Sequence, residues 1–301
     1  MNIAQQKLKE AKKEIKLLGL DFDGTVVDGI GYNMPEAADL FGKIISAGIS
    51  VSFITARAAT ALKSIVPALQ TKMIEVDTLP SCFIAGGNGT NLYEVGKNYL
   101  KQIYNYGLNF NEIITIVDSG RKIYNHFQIK HSGLAEKGLE TFRKFLQDKW
   151  EGYIPKEIIE ICRPYENAIF TEEAKVTFVL PKDKTIHPAL ISALNEILGS
   201  KYQVLAGDET YVHITKKLTA DGKLTAVKQI LDFLNLSEYQ VATFGDMPEG
   251  NDAGLLSFPY SFTNSEEYAA RKIGEKPPYI LEGKNLTPVA RIYETIEYLI
   301  S

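Results

Sequence analysis

Residues 15–29 read IKLLGLDFDGTVVDG. Residues 15–20 form a short run that is apolar on both faces, the pattern of a buried central strand in a parallel sheet. Two aspartates one residue apart, Asp21 and Asp23, follow it directly, and Gly24 comes next. Carboxylates this close raise one another's pKa unless a cation or a proton lies between them. Core packing asks for no such pair at a strand end. The stretch therefore sets the fold class and marks the first candidate site together.

Outward from it, apolar strands alternate with helical patterns, which predicts a doubly wound, parallel α/β core. Residues 34–48, with Pro35 near the start and Gly48 at the end, read as a helix, and β-branched 49–55 read as a second strand. A helix is expected over 57–70, and a third strand over 81–87. Between about 107 and 215 the pattern changes. Strand-like KIYNHFQI (122–129) and KVTFVL (175–180) are interspersed with helical 134–150 and 187–199. This is the pattern of an α+β insert with its own sheet. The first alternation then resumes. Residues 221–236 place Leu224, Val227, Leu231 and Leu234 on one helical stripe, 239–246 form a buried strand ending in an acid, and 287–300 read as a closing helix. The expected organisation is a discontinuous core, 1–106 and 216–301, interrupted by an inserted domain at 107–215.

Bulk properties narrow the function classes. With 301 residues, 45% of them hydrophobic, the chain can bury a large core and divide in two. A net charge of −4 without a long basic run gives little support to a nucleic-acid surface. The most basic stretch, 5–16, reads as a solvated helix packed on the core. No apolar run reaches the roughly 18–20 residues needed to span a bilayer, and no signal-peptide pattern opens the sequence. The two cysteines, Cys82 and Cys162, lie far apart in neutral contexts, so a cytoplasmic location is expected rather than a disulfide framework or a zinc site.

In open parallel sheets ligands bind beyond the carboxyl ends of the strands. That edge collects Asp21 and Asp23 after the first strand, Thr55 after the second and Asp246 after a later one, with Asn251 and Asp252 in the loop that follows. Lys223 opens the helix after the insert, where a cation opposes the helix dipole. In this order DFDGT, the threonine of FITAR, Lys223 and GDMPEGND resemble the four motifs of haloacid dehalogenase superfamily phosphatases. The insert looks like the large α/β cap of the Cof-type, sugar-phosphatase branch, and GGNGTNLYE (86–94) is similar to the hairpin that precedes that cap. The likeness is specific in the core and only architectural in the cap.

The resemblance implies a Mg²⁺-dependent phosphomonoester hydrolase acting on a small phosphorylated metabolite, with a sugar phosphate expected. Asp21 would be the nucleophile and form an aspartyl-phosphate. Asp23 would be the general acid and then the base. Thr55 would donate its hydroxyl to a phosphoryl oxygen and Lys223 would neutralise charge. Mg²⁺ would be held by Asp21, the Asp23 carbonyl and Asp246, an oxygen set suited to it. Asn251 and Asp252 would be further ligands or would support the ion. Gly24, Asn88 and Gly89 are expected at the substrate, and Arg57 leans toward the site. The motif departs from the branch at Asp246 to Asn251, where four residues intervene; phosphomannomutases carry an even longer loop there. A phosphomutase is therefore the alternative, and a non-catalytic phospho-ligand module a remoter one. In the cap, Arg121, Lys122, His126, Lys130, His131, Arg163 and Tyr165 are candidate anion contacts. The expected partner is a small molecule, not a nucleic acid or a membrane, and oligomeric state is open.

Overall fold

The computed structural model describes residues 2–27, 34–57, 65–74, 76, 80–128, 169–171, 175–181, 183–206, 211–217, 221–271, 276–282 and 286–301. The chain divides into two compact units, Met1–Asn105 with Ala220–Ser301, and Tyr106–Thr219.

The first unit is an α/β sandwich built on β1 (Leu17–Leu20), every residue of which is buried. Parallel neighbours flank it: β2 (Ser50–Ile54) and β3 (Cys82–Gly86) on one side, β10 (Val241–Gly245), β11 (Tyr260–Thr263) and β12 (Tyr279–Ile280) on the other. Two antiparallel strands, β4 (Asn91–Gly96) and β5 (Tyr99–Asn105), extend the sheet beyond β3. β1, β3, β10 and β11 are buried at every residue, as parallel strands covered on both faces are, and are mostly apolar for that reason. Leu18 and Leu20 enter one cluster with residues of α1 (Ile3–Glu14), α2 (Met34–Ser46), α3 (Ile65–Ile74) and α8 (Pro288–Ile300). Leu17 enters the other, with Ala226, Val227, Ile230 and Leu231 of α6 (Gly222–Leu234). The stripe expected on α6 is this packed face.

Helix α1 begins with a reciprocal capping box between Asn2 and Gln5. It buries Ala4 and Ala11 in the core, in keeping with a helix packed on it.

In the second unit a four-stranded antiparallel sheet, ordered β6 (Ile169–Thr171), β7 (Lys175–Val179), β9 (Tyr211–Lys216), β8 (Tyr202–Ala206), packs one face on α4 (Phe110–His126) and α5 (His187–Leu198). Here one expectation fails. Residues 122–126 of the expected strand KIYNHFQI are the last turn and more of α4. Asn109 and Glu112 form a capping box that starts the helix well upstream. Ile113, Ile116, Val117, Ile123 and Tyr124 then lie on one buried stripe at helical spacing. The eight-residue window was too short to show that period. Gly120 lets α4 press onto β7, since a Cβ there would lie 1.9 Å from the Phe178 ring. Residues 129–150 of the insert, with the helix expected at 134–150, lie outside the described residues, as do 58–64 of the helix expected at 57–70.

Candidate active site

The carboxyl ends of β1, β2 and β10 open on one edge of the sheet, where Asp21, Thr55 and Asp246 stand one residue past their strands. Extended backbone alternates side chains. Phe22 accordingly goes into the core, while Asp21 and Asp23 share the opposite side. Asp21 is buried, its backbone N–H donating to Phe244 O (2.9 Å).

Lys223 reaches this edge from the N-terminal turn of α6. Asp221 caps that turn by accepting from Leu224 N at 3.1 Å. The ammonium is 1% exposed and donates to Asp21 Oδ1 (2.6 Å) and Asp252 Oδ1 (2.6 Å). Two carboxylates thus account for a cation at a helix start. Its rivals lie in the second unit, where Lys216 pairs with Glu112 at 3.5 Å and Lys217 is exposed.

The long loop after β10 folds back on itself. Gly250 N and Asp252 N both donate to Met247 O, at 3.0 and 3.2 Å. Asp252 returns beneath the strand end, where its Oδ2 accepts from the backbone N–H groups of Asp246 (3.1 Å) and Met247 (2.9 Å). With Lys223 on its other oxygen, Asp252 ties the loop to the lysine. Gly250 is not among the glycines with positive φ, so the turn draws on these hydrogen bonds rather than on a left-handed glycine. Asn251 is half-buried in the same turn.

Carboxylate oxygens of Asp21, Asp246 and Asp252 lie within 4.8 Å of one another. Three acids share one ammonium. Burial and the Asp252 and Asp246 charges push the Asp21 carboxyl well above its usual range despite Lys223. Burial and Asp252 likewise push Asp246 up to about 7. On Lys223 burial works against the charge, but Asp21 and Asp252 together outweigh it and its pKa rises. The excess negative charge and the oxygen-only donors fit a hard divalent cation. Both Asp252 oxygens accept hydrogen bonds, as does Asp21 Oδ1 from Lys223, while Thr25 Oγ1 donates to Asp21 Oδ2 at a longer 3.5 Å. Gly24, at φ +74, makes room for that arrangement: a Cβ there would meet Asp246 Oδ2 at 2.5 Å.

Thr55 is buried, and its Oγ1 accepts from Arg57 N at 3.1 Å. Among the described residues nothing takes its hydroxyl proton, which stays free to donate. The turn between β3 and β4 is laced to the same loop, with Gly87 N donating to Arg57 O (2.7 Å) and Asn88 N to Thr55 O (2.9 Å). Asn88 is 8% exposed and left-handed at φ 57, and neither side-chain amide atom has a hydrogen-bond partner among the described residues. Gly89 has a packing role, since a Cβ on it would lie 2.0 Å from Gly222 O at the head of α6.

Sequence reasoning missed Asn264. Just past β11, it donates from Nδ2 to Gly24 O at 3.1 Å and so holds the acidic turn, while its Oδ1 is buried without a partner among the described residues. Its position one residue beyond a parallel strand was the available signal. Of the cap candidates, Arg121, Lys122 and His126 lie on α4, Arg121 being 3.9 Å from Asp118. Lys130, His131, Arg163 and Tyr165 lie outside the described residues.

A largely parallel sheet with acids gathered at its carboxyl edge, in a chain carrying a second α+β unit, is the architecture of an α/β hydrolase. The chain belongs to the haloacid dehalogenase-like hydrolases, whose family model matches residues 18–261. Among solved structures it is similar to a haloacid dehalogenase-like hydrolase from Bacteroides thetaiotaomicron (15% identity, TM-score 0.62, covering 94% of this chain and 99% of that one). A candidate HAD/COF-like hydrolase from Plasmodium vivax is likewise similar (21%, TM-score 0.59, 98% of each chain). So is the IMP-bound IMP-nucleotidase of Plasmodium falciparum (13%, TM-score 0.53, 97% of this chain and 70% of that one). At these identities the likeness is one of fold. No curated protein matches the chain.

Proposed function

We propose that the chain is a Mg²⁺-dependent phosphomonoester hydrolase that acts on a small phosphorylated metabolite, a sugar phosphate in the first instance, through an aspartyl-phosphate. One observation carries the reading. A lysine buried at 1% exposure spends both its described contacts on Asp21 and Asp252, with the Asp246 carboxylate beside them. Such a charge cluster destabilises a core unless a ligand completes it.

Asp21 attacks phosphorus, and the P–O bond to the leaving alcohol breaks as the Asp21 O–P bond forms. Asp23 gives the departing oxygen its proton, then takes one from the water that cleaves the aspartyl-phosphate. Lys223 holds the nucleophile in place and offsets charge there, and Thr55 donates its hydroxyl to a phosphoryl oxygen. Asp21 and Asp246, with the Asp23 carbonyl, would hold the Mg²⁺, which when bound neutralises charge on the transferring oxygens. Catalysis of this kind is mostly positioning and electrostatics.

The test is phosphate release from a panel of sugar phosphates, other metabolite monoesters and nucleoside monophosphates, with and without Mg²⁺. Nucleotides belong in it because one structural neighbour is an IMP-nucleotidase. Mg²⁺-dependent release that Asp21→Asn abolishes, in a variant that melts like the parent, is the expected result. No release from any ester would overturn the reading. Phosphate moved between positions of a sugar without release would turn it to a phosphomutase.

A further inference from the structure

We propose that Arg57 is the positioning residue for the Asp23 carboxyl group, the arm that aims the proton donor of the reaction proposed above, on which this inference rests. Arg57 Nε donates to Asp23 Oδ2 at 2.8 Å, and a terminal nitrogen of the same guanidinium donates to Asp23 Oδ1. The two parallel contacts make a fork that fixes the plane of the carboxylate as well as its place. No other described side chain donates to Asp23, which is 41% exposed on a turn next to Gly24. Left alone, it would move among rotamers.

Arg57 is in turn held from several sides. Its backbone N–H donates to Thr55 Oγ1 (3.1 Å), and its carbonyl accepts from Gly87 N (2.7 Å). Its guanidinium lies over the Phe22 ring, 5.4 Å from the centroid. The residue between the two aspartates thus gives the arginine its platform. An ion pair this exposed adds little to stability. A fork built on a braced backbone and an aromatic face adds orientation instead, and orientation is what a proton transfer timed with P–O cleavage needs.

The test compares two leaving groups. p-Nitrophenolate departs without a proton, while a sugar alkoxide needs one. kcat/KM reports the first chemical step, transfer to Asp21. Arg57→Ala and Arg57→Lys are each measured on p-nitrophenyl phosphate and on the primary-alcohol sugar phosphate that the wild-type chain hydrolyses fastest. The lysine variant keeps a charge but cannot form the fork. Both variants are expected to lose on the order of 100-fold in kcat/KM on the sugar phosphate and less than about threefold on the nitrophenyl ester. On the nitrophenyl ester kcat and KM should fall together, since Asp23 is still needed to activate water. Adding Arg57→Ala to Asp23→Asn should cost nothing further on the sugar ester.

Equal loss of kcat/KM on both esters, or a loss that adds to that of Asp23→Asn, would overturn the proposal and make Arg57 a substrate or structural contact. A wild-type chain that releases no phosphate from either ester would overturn the phosphatase reading, and this inference with it. Activity with even losses would overturn this inference alone.

Discussion

Lys223 illustrates how much one side chain can decide. Its position at the second residue of α6 looked like a helix-dipole conflict, and the structure resolves it with two carboxylates 2.6 Å away. Removing one partner of a buried charge cluster costs about 3–5 kcal/mol, because the remaining charges stay buried without compensation. Lys223→Met should therefore lower the denaturation free energy by about that much. Adding Asp252→Asn should recover part of the loss, which urea unfolding curves of Lys223→Met, Asp252→Asn and the double variant would measure. Additive losses would mean that Lys223 and Asp252 act independently. Much of this was legible beforehand, since Asp21, Asp246 and Lys223 each occupy a strand or helix end that the pattern of the chain located. Asp252's two engaged oxygens were not legible, because they depend on a loop closing onto Met247 O.

At the scale of elements, the sheet of the second unit has one apolar face and one polar one. Val176, Phe178, Val212 and Ile214 enter the cluster with α4 and α5, while Lys175, Thr177, His213 and Thr215 share the other face by strand alternation. Thr177 Oγ1 lies 2.9 Å from His213 Nδ1. Burial and the Lys175 charge bring the His213 pKa down to about 3. A histidine depressed in this way contributes stability that is whole above the unfolded value of about 6.5 and is lost as the pH falls toward the folded one. Amide protection factors, corrected for the intrinsic pH dependence of exchange, should therefore fall in β7 and β9 between pH 6.5 and 4, and His213→Gln should flatten the dependence. A profile unchanged by the substitution would show that other groups govern it. The strand misread at 122–129 belongs to the same scale. Short windows hold too few turns to separate a period of 3.6 from one of 2, and the cap that starts α4 lies a dozen residues upstream.

For the whole molecule, the acidic edge sets a pH dependence. Carboxyls raised above their unfolded values, as Asp21 and Asp246 are, contribute stability at acid pH. For Asp246 this is lost as the pH rises through about 7. A cation bound there acts the other way, since a ligand of the folded state stabilises by mass action, about 2.7 kcal/mol at a hundredfold excess over Kd. Millimolar Mg²⁺ should therefore raise the melting temperature more at pH 8 than at pH 5, and Asp246→Asn should remove most of the increment. Equal increments at the two pH values would count against a cation held by these acids. No described helix is long and apolar enough to cross a membrane.

The sequence by itself determined the strand–helix alternation of the core and the strand ends at which acids gather. Those properties are local: a buried parallel strand must be apolar on both faces, and a polar residue just past it must lie on the sheet's edge. Only the tertiary structure decided which groups pair. The fork between Arg57 and Asp23, the return of Asp252 under Asp246, the brace of Asn264 on Gly24 and the turn that laces Asn88 to Thr55 join residues brought together by folding, in the case of Asn264 and Gly24 across 240 positions. A hydrogen bond needs its two atoms within about 3 Å, and only the packed chain sets distances that finely.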